Sequence, residues 1–203
     1  MVKILEAIKY PFKKFPRMLN FFWSIIPVIG TFAVLGYILK IINAVRKNLK
    51  ELPPFGSFTE NLKDGFKAFI WEIGIGIPLI VLLAVAGYIP VLSDLLVPIL
   101  LILAGMTVPI MFIQFAEKRD FKDGFDVKRA FQFVRNNFIS ELILIIKLII
   151  FAIILLIASL PIVTMIITLP VATYGSYYMW ASFYREVGKP TKKRKPAKKK
   201  RKK

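Results

Sequence analysis

The sequence contains no cysteine and no histidine. Without cysteine there is no disulfide, no thiol chemistry and no thiolate metal site. Without histidine, the usual general base and the commonest transition-metal ligand are missing. Acids are scarce as well, with 12 Asp/Glu against 30 Lys/Arg and a formal charge of +18. No carboxylate pair, nucleophile–base pair, Gly-rich phosphate loop or HExxH motif is present. Gly74-Ile75-Gly76 is too short for a nucleotide fingerprint and suits close helix packing instead. These gaps argue against an enzyme, and no cofactor or metal is predicted. No run of about ten residues alternates polar and apolar as a barrel strand would.

The apolar runs have almost no charge at all. Over 139–184, Lys147 is the one charge after Glu141, and 148–184 has none. A membrane-spanning helix needs about 20 mostly apolar residues, so this stretch amounts to two passes joined near Leu160-Pro161. The rest agrees: 57% of the chain is hydrophobic, with 18 Phe and a mean hydropathy of +0.63. That composition lies in the membrane class. The N-terminal residues do not predict a cleavable signal peptide, because Glu6, Lys9, Lys13, Lys14 and Arg17 interrupt any apolar core.

Taken in order, 1–17 carries Ile4, Leu5, Ile8, Phe12 and Phe15 at helical spacing among lysines. This predicts a basic amphipathic helix at the membrane interface, or a lead-in packed on the other helices. Residues 18–45 hold Trp23, Ile26-Pro27-Val28 and Gly36, enough for a hairpin or a single pass. In 57–67, Ser57 and Glu60 fit a capping box at the start of a short interfacial helix. Residues 68–116 hold two passes broken at Tyr88-Ile89-Pro90-Val91. Asp126 is a predicted N-cap for an interfacial helix over 126–138. The third hairpin, 139–184, ends in Tyr174, Tyr177, Tyr178, Trp180 and Tyr184, residue types that favour the headgroup level. The membrane domain thus covers 1–186, and 187–203 is a disordered polybasic tail.

Ile26-Pro27-Val28, Ile89-Pro90-Val91 and Leu160-Pro161-Ile162 repeat one theme, a proline between apolar arms. The predicted fold is all-α: a polytopic transmembrane helical bundle of three helical hairpins, with five to six membrane helices and short interfacial amphipathic helices. Lys/Arg number 5 in 1–17, 6 in 40–67, 6 in 116–138 and 12 in 185–203, while the three tips have none. Cytoplasmic loops carry the basic excess, so all four basic segments and both termini are predicted cytoplasmic in a multi-pass cell-membrane protein. The first arm, 18–26, reaches about 14 Å at 1.5 Å per residue, against about 30 Å of hydrocarbon. The first hairpin is therefore either re-entrant or a single pass.

Ala7-Ile8-Lys9-Tyr10-Pro11-Phe12, Ile26-Pro27, Gly36-Tyr37, Leu52-Pro53 and Asp64-Gly65-Phe66-Lys67 stand in this order. Over about 4–186 the chain resembles the mainly archaeal membrane proteins grouped as domain of unknown function 4013. The usual member has an acidic, Trp-containing loop after the Leu-Pro pair. Here Phe55-Gly56-Ser57-Phe58 follows, with no acid until Glu60. The resemblance implies a polytopic membrane protein and brings no activity or site residues.

Charges inside spans are functional candidates by default, and three exist: Glu72, Lys147 and Asp94. Glu72 and Lys147 lie at similar depth on first arms, which suits an interhelical ion pair. The alternative is that Lys147 snorkels while Glu72 sits at the headgroups. Asp94 either lines a gate or, more simply, caps a helix starting after Ser93. Thr107, Gln114, Thr164, Thr168, Thr173 and Ser176 either line a polar path or bond their own helices. In the tail, Lys192, Lys193, Arg194 and Lys195 form one basic block. Lys198, Lys199, Lys200, Arg201, Lys202 and Lys203 form another. Such blocks attract anionic lipid at about 1 kcal/mol per residue. They also bind RNA phosphates, ribosomal RNA included. A nuclear-import reading fits poorly with a polytopic chain. The sequence predicts a non-enzymatic scaffold or assembly factor with a basic cytoplasmic face. Its expected partners are the bilayer, anionic lipids, and ribosomes or other membrane proteins. A small transporter or permease with a path between the hairpins is the alternative. No oligomeric state is predicted.

Overall fold

The computed structural model describes residues 2–88 and 90–188, so both basic blocks of the tail and Ile89 lie outside the described residues. Every regular element among the described residues is helical. In order these are α1 (Ile4–Phe12), α2 (Phe15–Met18), a 3-10 helix (Leu19–Ile25), α3 (Ile29–Arg46), α4 (Phe58–Gly87), α5 (Pro90–Lys118), α6 (Phe121–Gly124), α7 (Val127–Ala158) and α8 (Ile162–Val187). Helices satisfy their backbone groups internally, which is what a spanning segment requires in lipid.

Among the described residues, four helices are long and apolar enough to cross a membrane: α3, α4, α5 from Ser93, and α7. They differ in what surrounds them. Of α3, 61% is buried in protein, against 11% and 22% for the apolar windows of α4 and α7. So α3 is the central post, while α4 and α7 turn most of their apolar surface outwards. Ile77, Ile80, Val81 and Val85 on α4 are all more than half exposed. A band of this size has no place in water and needs acyl chains against it. α8 has 26 residues, and its second half is rich in Tyr, Ser and Gly, which makes it less apolar than these four.

Two glycines set the main helix crossing. A Cβ on Gly36 of α3 would collide with the carbonyl of Asn61, and one on Gly65 of α4 with the carbonyl of Phe32. The backbones touch there, as small residues permit in membrane bundles. The rings of Phe32 and Phe69 pack beside this crossing at 5.1 Å. The helices run antiparallel, so the start of α3, three residues before Phe32, stands about level with Ala68. About 19 further residues of α4, or about 28 Å, continue past it, so the first hairpin turns back well before α4 ends. Its incoming arm is the short 3-10 helix, folded back so that Trp23 stacks on Phe55 (6.2 Å) and meets Phe58 (5.1 Å). The turn is tight: Ile29 N–H donates to Pro27 O (2.7 Å) around Val28 at φ 62°, ψ −68°.

Several boundaries differ from the sequence reading. Residues 57–67 do not form a separate helix but run unbroken into α4, because nothing between Glu60 and Ala68 stops the helix. Ser57 does cap it, accepting from Glu60 N–H (3.4 Å), yet the Glu60 carboxylate turns to Lys40 (3.0 Å) instead of closing the box. Asp94 is no N-cap, since α5 has already begun at Pro90. Asp126 does cap α7, accepting from Arg129 N–H at 2.9 Å. α7 bends at Asn137, whose φ −128°, ψ 19° are not helical. The aromatics of α8 turn inwards instead of forming a belt. Tyr174 is fully buried and packs on Tyr37 (5.7 Å) and Phe21 (6.2 Å). Tyr184 stacks on Phe133 (4.8 Å). A headgroup preference governs rings that face lipid, and these face neighbouring helices.

α1 buries Ala7, Tyr10 and Pro11. It packs on α8, where Gly175 leaves room for the Ala7 carbonyl and Tyr10 meets Tyr178 at 4.5 Å. The irregular loop before α4 is held by side-chain donors on successive carbonyls. Tyr10 donates to Glu51 O (3.2 Å), Arg17 to Leu52 O and Tyr37 to Pro53 O (2.8 Å). Lys40 (3.2 Å) and Asn61 (2.8 Å) both donate to Phe55 O. A partly buried loop requires such partners for its carbonyls, and these come from α1, α2, α3 and α4.

Candidate functional site

The basic segments meet at the end of the bundle where α3, α5 and α8 finish and α4 and α7 begin. Arg46 pairs with Glu117 at 2.7 Å, joining α3 to α5. Asn43 donates to Ala116 O beside it. Arg119 pairs with Asp64 of α4. Arg185 of α8 donates to Val45 O (2.7 Å) and to the Asn48 side chain (2.8 Å). Lys14 reaches Glu51 at 3.5 Å. Lys118 pairs with Asp123 at 2.9 Å, and that ammonium holds the Asp123 carboxyl below the usual carboxylate range. The result is one cross-linked polar end. It keeps a surplus of cations, Lys3, Lys13, Lys47, Lys50, Lys63, Lys122 and Lys128 being exposed.

The three intramembrane candidates do not come together. Lys147 donates to the backbone carbonyl of Val2 at 2.9 Å, beside Phe183 and Glu186 in a small cavity. Glu72 lies elsewhere, on the wall of a different cavity. No ion pair joins them among the described residues, and the two side chains face different neighbours. Asp94 is exposed and accepts from the Ser93 hydroxyl at 3.3 Å.

The carboxylate that sequence reasoning missed is Glu141. It is fully buried, and neither oxygen has a hydrogen-bond partner among the described residues. At the edge of an apolar run it reads as an interface residue. The break at Asn137, one turn earlier, is what turns it into the bundle. Gln114 and the Tyr174 hydroxyl are likewise buried without protein partners. Ser176 and Thr164 bond carbonyls of their own helix region, Ala172 O (2.7 Å) and Pro161 O (2.7 Å). They do not form a path.

Beside Glu72, which is exposed, residues of α4, α5 and α8 line an open cavity of about 580 Å³. Trp71, Phe112, Tyr177 and Trp180 supply rings, and Thr173 supplies a hydroxyl. The rings are mutually braced: Trp71 lies 5.3 Å from Phe112, and Phe112 lies 5.8 Å from Tyr177. Trp71 is seated by Gly124 of α6, where a Cβ would meet its indole at 2.5 Å. The tetrapeptide Lys122-Asp123-Gly124-Phe125 repeats Lys63-Asp64-Gly65-Phe66 of α4. In both copies the glycine admits a close neighbour and the aspartate holds a cation. That repeat is a signal in the sequence that points to this corner of the fold. Among the described residues, no group of three or more acids could hold a metal ion.

Long apolar helices, closed at one end by cross-linked basic segments, define a multi-pass integral membrane protein. Within that class, the family described as "Protein of unknown function (DUF4013)" matches residues 19–168, and the chain belongs to it. The match is shorter than the resemblance over 4–186 and begins after Tyr10-Pro11-Phe12. No curated protein and no solved structure matches the chain.

Proposed function

We propose that the chain is a non-enzymatic membrane scaffold or assembly factor whose basic end faces the cytoplasm and holds anionic lipid headgroups. The observation that carries this reading is the convergence of 1–17, 40–67, 116–138 and Arg185 on one end of the bundle. They are tied there by Arg46–Glu117, Arg119–Asp64 and Arg185–Asn48. Such bonds fix the backbone carriers of charge while leaving exposed lysines to a surface. Lysines near an anionic leaflet each contribute about 1 kcal/mol. α1 and the last turn of α8 belong to this end, and on this reading the first hairpin re-enters without crossing.

Impermeant maleimide on intact cells tests the orientation, since the chain supplies no native thiol. Cysteines at Tyr88 and Leu160, the exposed tips, label from outside. Cysteines at Lys50 and Lys122 label only after lysis. Labelling of Lys50→Cys in intact cells overturns the proposal. In proteoliposomes, energy transfer from tryptophan to labelled phosphatidylglycerol exceeds transfer to labelled phosphatidylcholine and falls with salt. Equal transfer removes the lipid partner. Salt-sensitive co-sedimentation with ribosomes would transfer the docking role to nucleic acid.

A second reading, a small transporter or permease, is favoured by one observation. The cavity at Glu72 places a carboxylate, without a cation partner among the described residues, beside three helices.

A further inference from the structure

The basic end leaves the Glu72 cavity without a role, and its walls have a definite chemistry. Glu72 makes no hydrogen bond or ion pair among the described residues. Nor do the Thr173 and Tyr177 hydroxyls among those residues, whereas Ser176 spends its own on Ala172 O. The rest of the wall joins the small apolar residues Val108, Pro109 and Ala172 to the rings of Phe112, Tyr177, Trp180 and Trp71. Aromatic faces attract cations within about 6 Å, Trp most strongly. A carboxylate left in apolar surroundings without a counter-charge is costly. An anion would be repelled by Glu72. A neutral apolar occupant would leave it uncompensated. A metal ion would find one acid where several are needed.

We propose that this cavity binds an organic ammonium group, with Glu72 as its counter-ion and Tyr177 and Trp180 as its aromatic walls. The volume of about 580 Å³ suits a small organic cation, within the usual range of about 300–1,000 Å³ for ligand sites. Glu72 lies about 7–8 Å along α4 from Lys67, near the depth of a lipid headgroup. The ammonium therefore comes either from a choline-type headgroup or from an aqueous amine. The site is independent of the docking face and stands whether or not its occupant is moved across the membrane.

The test uses the full chain in nanodiscs of phosphatidylglycerol, titrated with tetramethylammonium chloride against sodium chloride at matched ionic strength. Two of the three tryptophans line the cavity or brace it, so intrinsic fluorescence reads occupancy. A saturable change with tetramethylammonium, absent with sodium, is expected. Glu72→Gln weakens it about tenfold, and Asp94→Asn leaves it unchanged. Trp180→Leu, which keeps the carboxylate and removes one ring, weakens it about fivefold. This second variant decides the matter if Glu72→Gln fails to fold. Discs containing phosphatidylcholine separate the sources. Loss of the titration there assigns the site to the headgroup, and an unchanged titration assigns it to aqueous ammonium. No saturable change in phosphatidylglycerol discs overturns the proposal. So does equal binding by the wild type and both cavity variants.

Discussion

Arg119 closes on Asp64 across the junction of α5 and α4, one residue after Lys118 has closed on Asp123. Two adjacent cations at the end of α5 thus serve the aspartates of the two Lys-Asp-Gly-Phe copies. Asp64 is 8% exposed and Arg119 26%. Removing one partner of such a pair leaves the other poorly solvated. Asp64→Asn or Arg119→Met should each cost about 2 kcal/mol, read as a lower unfolding temperature in detergent. The double variant should cost less than the two together.

The α3–α4 crossing predicts a sharp contrast between glycines of similar setting. Gly36→Ala and Gly65→Ala drive a methyl into a neighbouring carbonyl and should abolish the monodisperse protein on gel filtration. At Gly76 of α4 a Cβ meets nothing within 4 Å. Gly76→Ala should leave the elution profile intact and raise the unfolding temperature, since alanine is favoured over glycine in a helix by about 1 kcal/mol.

Val28 holds a γ-turn at positive φ, a conformation that β-branched residues avoid. Its side chain is 65% exposed, so little packing is lost on removal. Val28→Gly should stabilise the fold by about 1 kcal/mol, the strain released exceeding the added chain entropy. Thermal unfolding in the same detergent measures it. A drop in stability would show that the turn is held by the side chain.

Glu141 is buried with both oxygens unpartnered. Glu141→Gln keeps the volume and removes the charge, so it should raise the unfolding temperature. Glu141→Ala should lower it by leaving a cavity. If Gln destabilises as much as Ala, ordered water or another group holds the carboxylate.

Much of the architecture was legible in local chemistry. The proline-marked tips, the caps at Ser57 and Asp126 and the basic segments over 40–67 and 116–138 all follow from short-range rules. What those rules lack is direction around a helix axis. The sequence puts Glu72 and Lys147 at comparable depths, but only packing shows that Lys147 is taken up by a carbonyl 145 residues away. The tyrosines of α8 suit a headgroup as well as a core, and Gly175, which admits α1, decides between them. Glu141 stands at the margin of an apolar run, and the bend at Asn137 is not written in any proline or glycine nearby. The five donors aimed at the loop after α3 are ordinary surface residue types. Their convergence depends on α1 and α2 being folded back over that loop.

The contact between α1 and α8 joins the first of the described helices to the last. When α1 leaves the ribosome, the groove beside Gly175 does not yet exist. At about 5–20 residues per second, its partner follows on the order of ten seconds later. Throughout that interval the side of Ala7 and Tyr10 that meets Gly175 and Tyr178 lacks its cover. Maturation of the protein is therefore a ring closure: the N-terminal segment stays on the surface as a waiting latch, and the bundle locks only when synthesis has delivered α8.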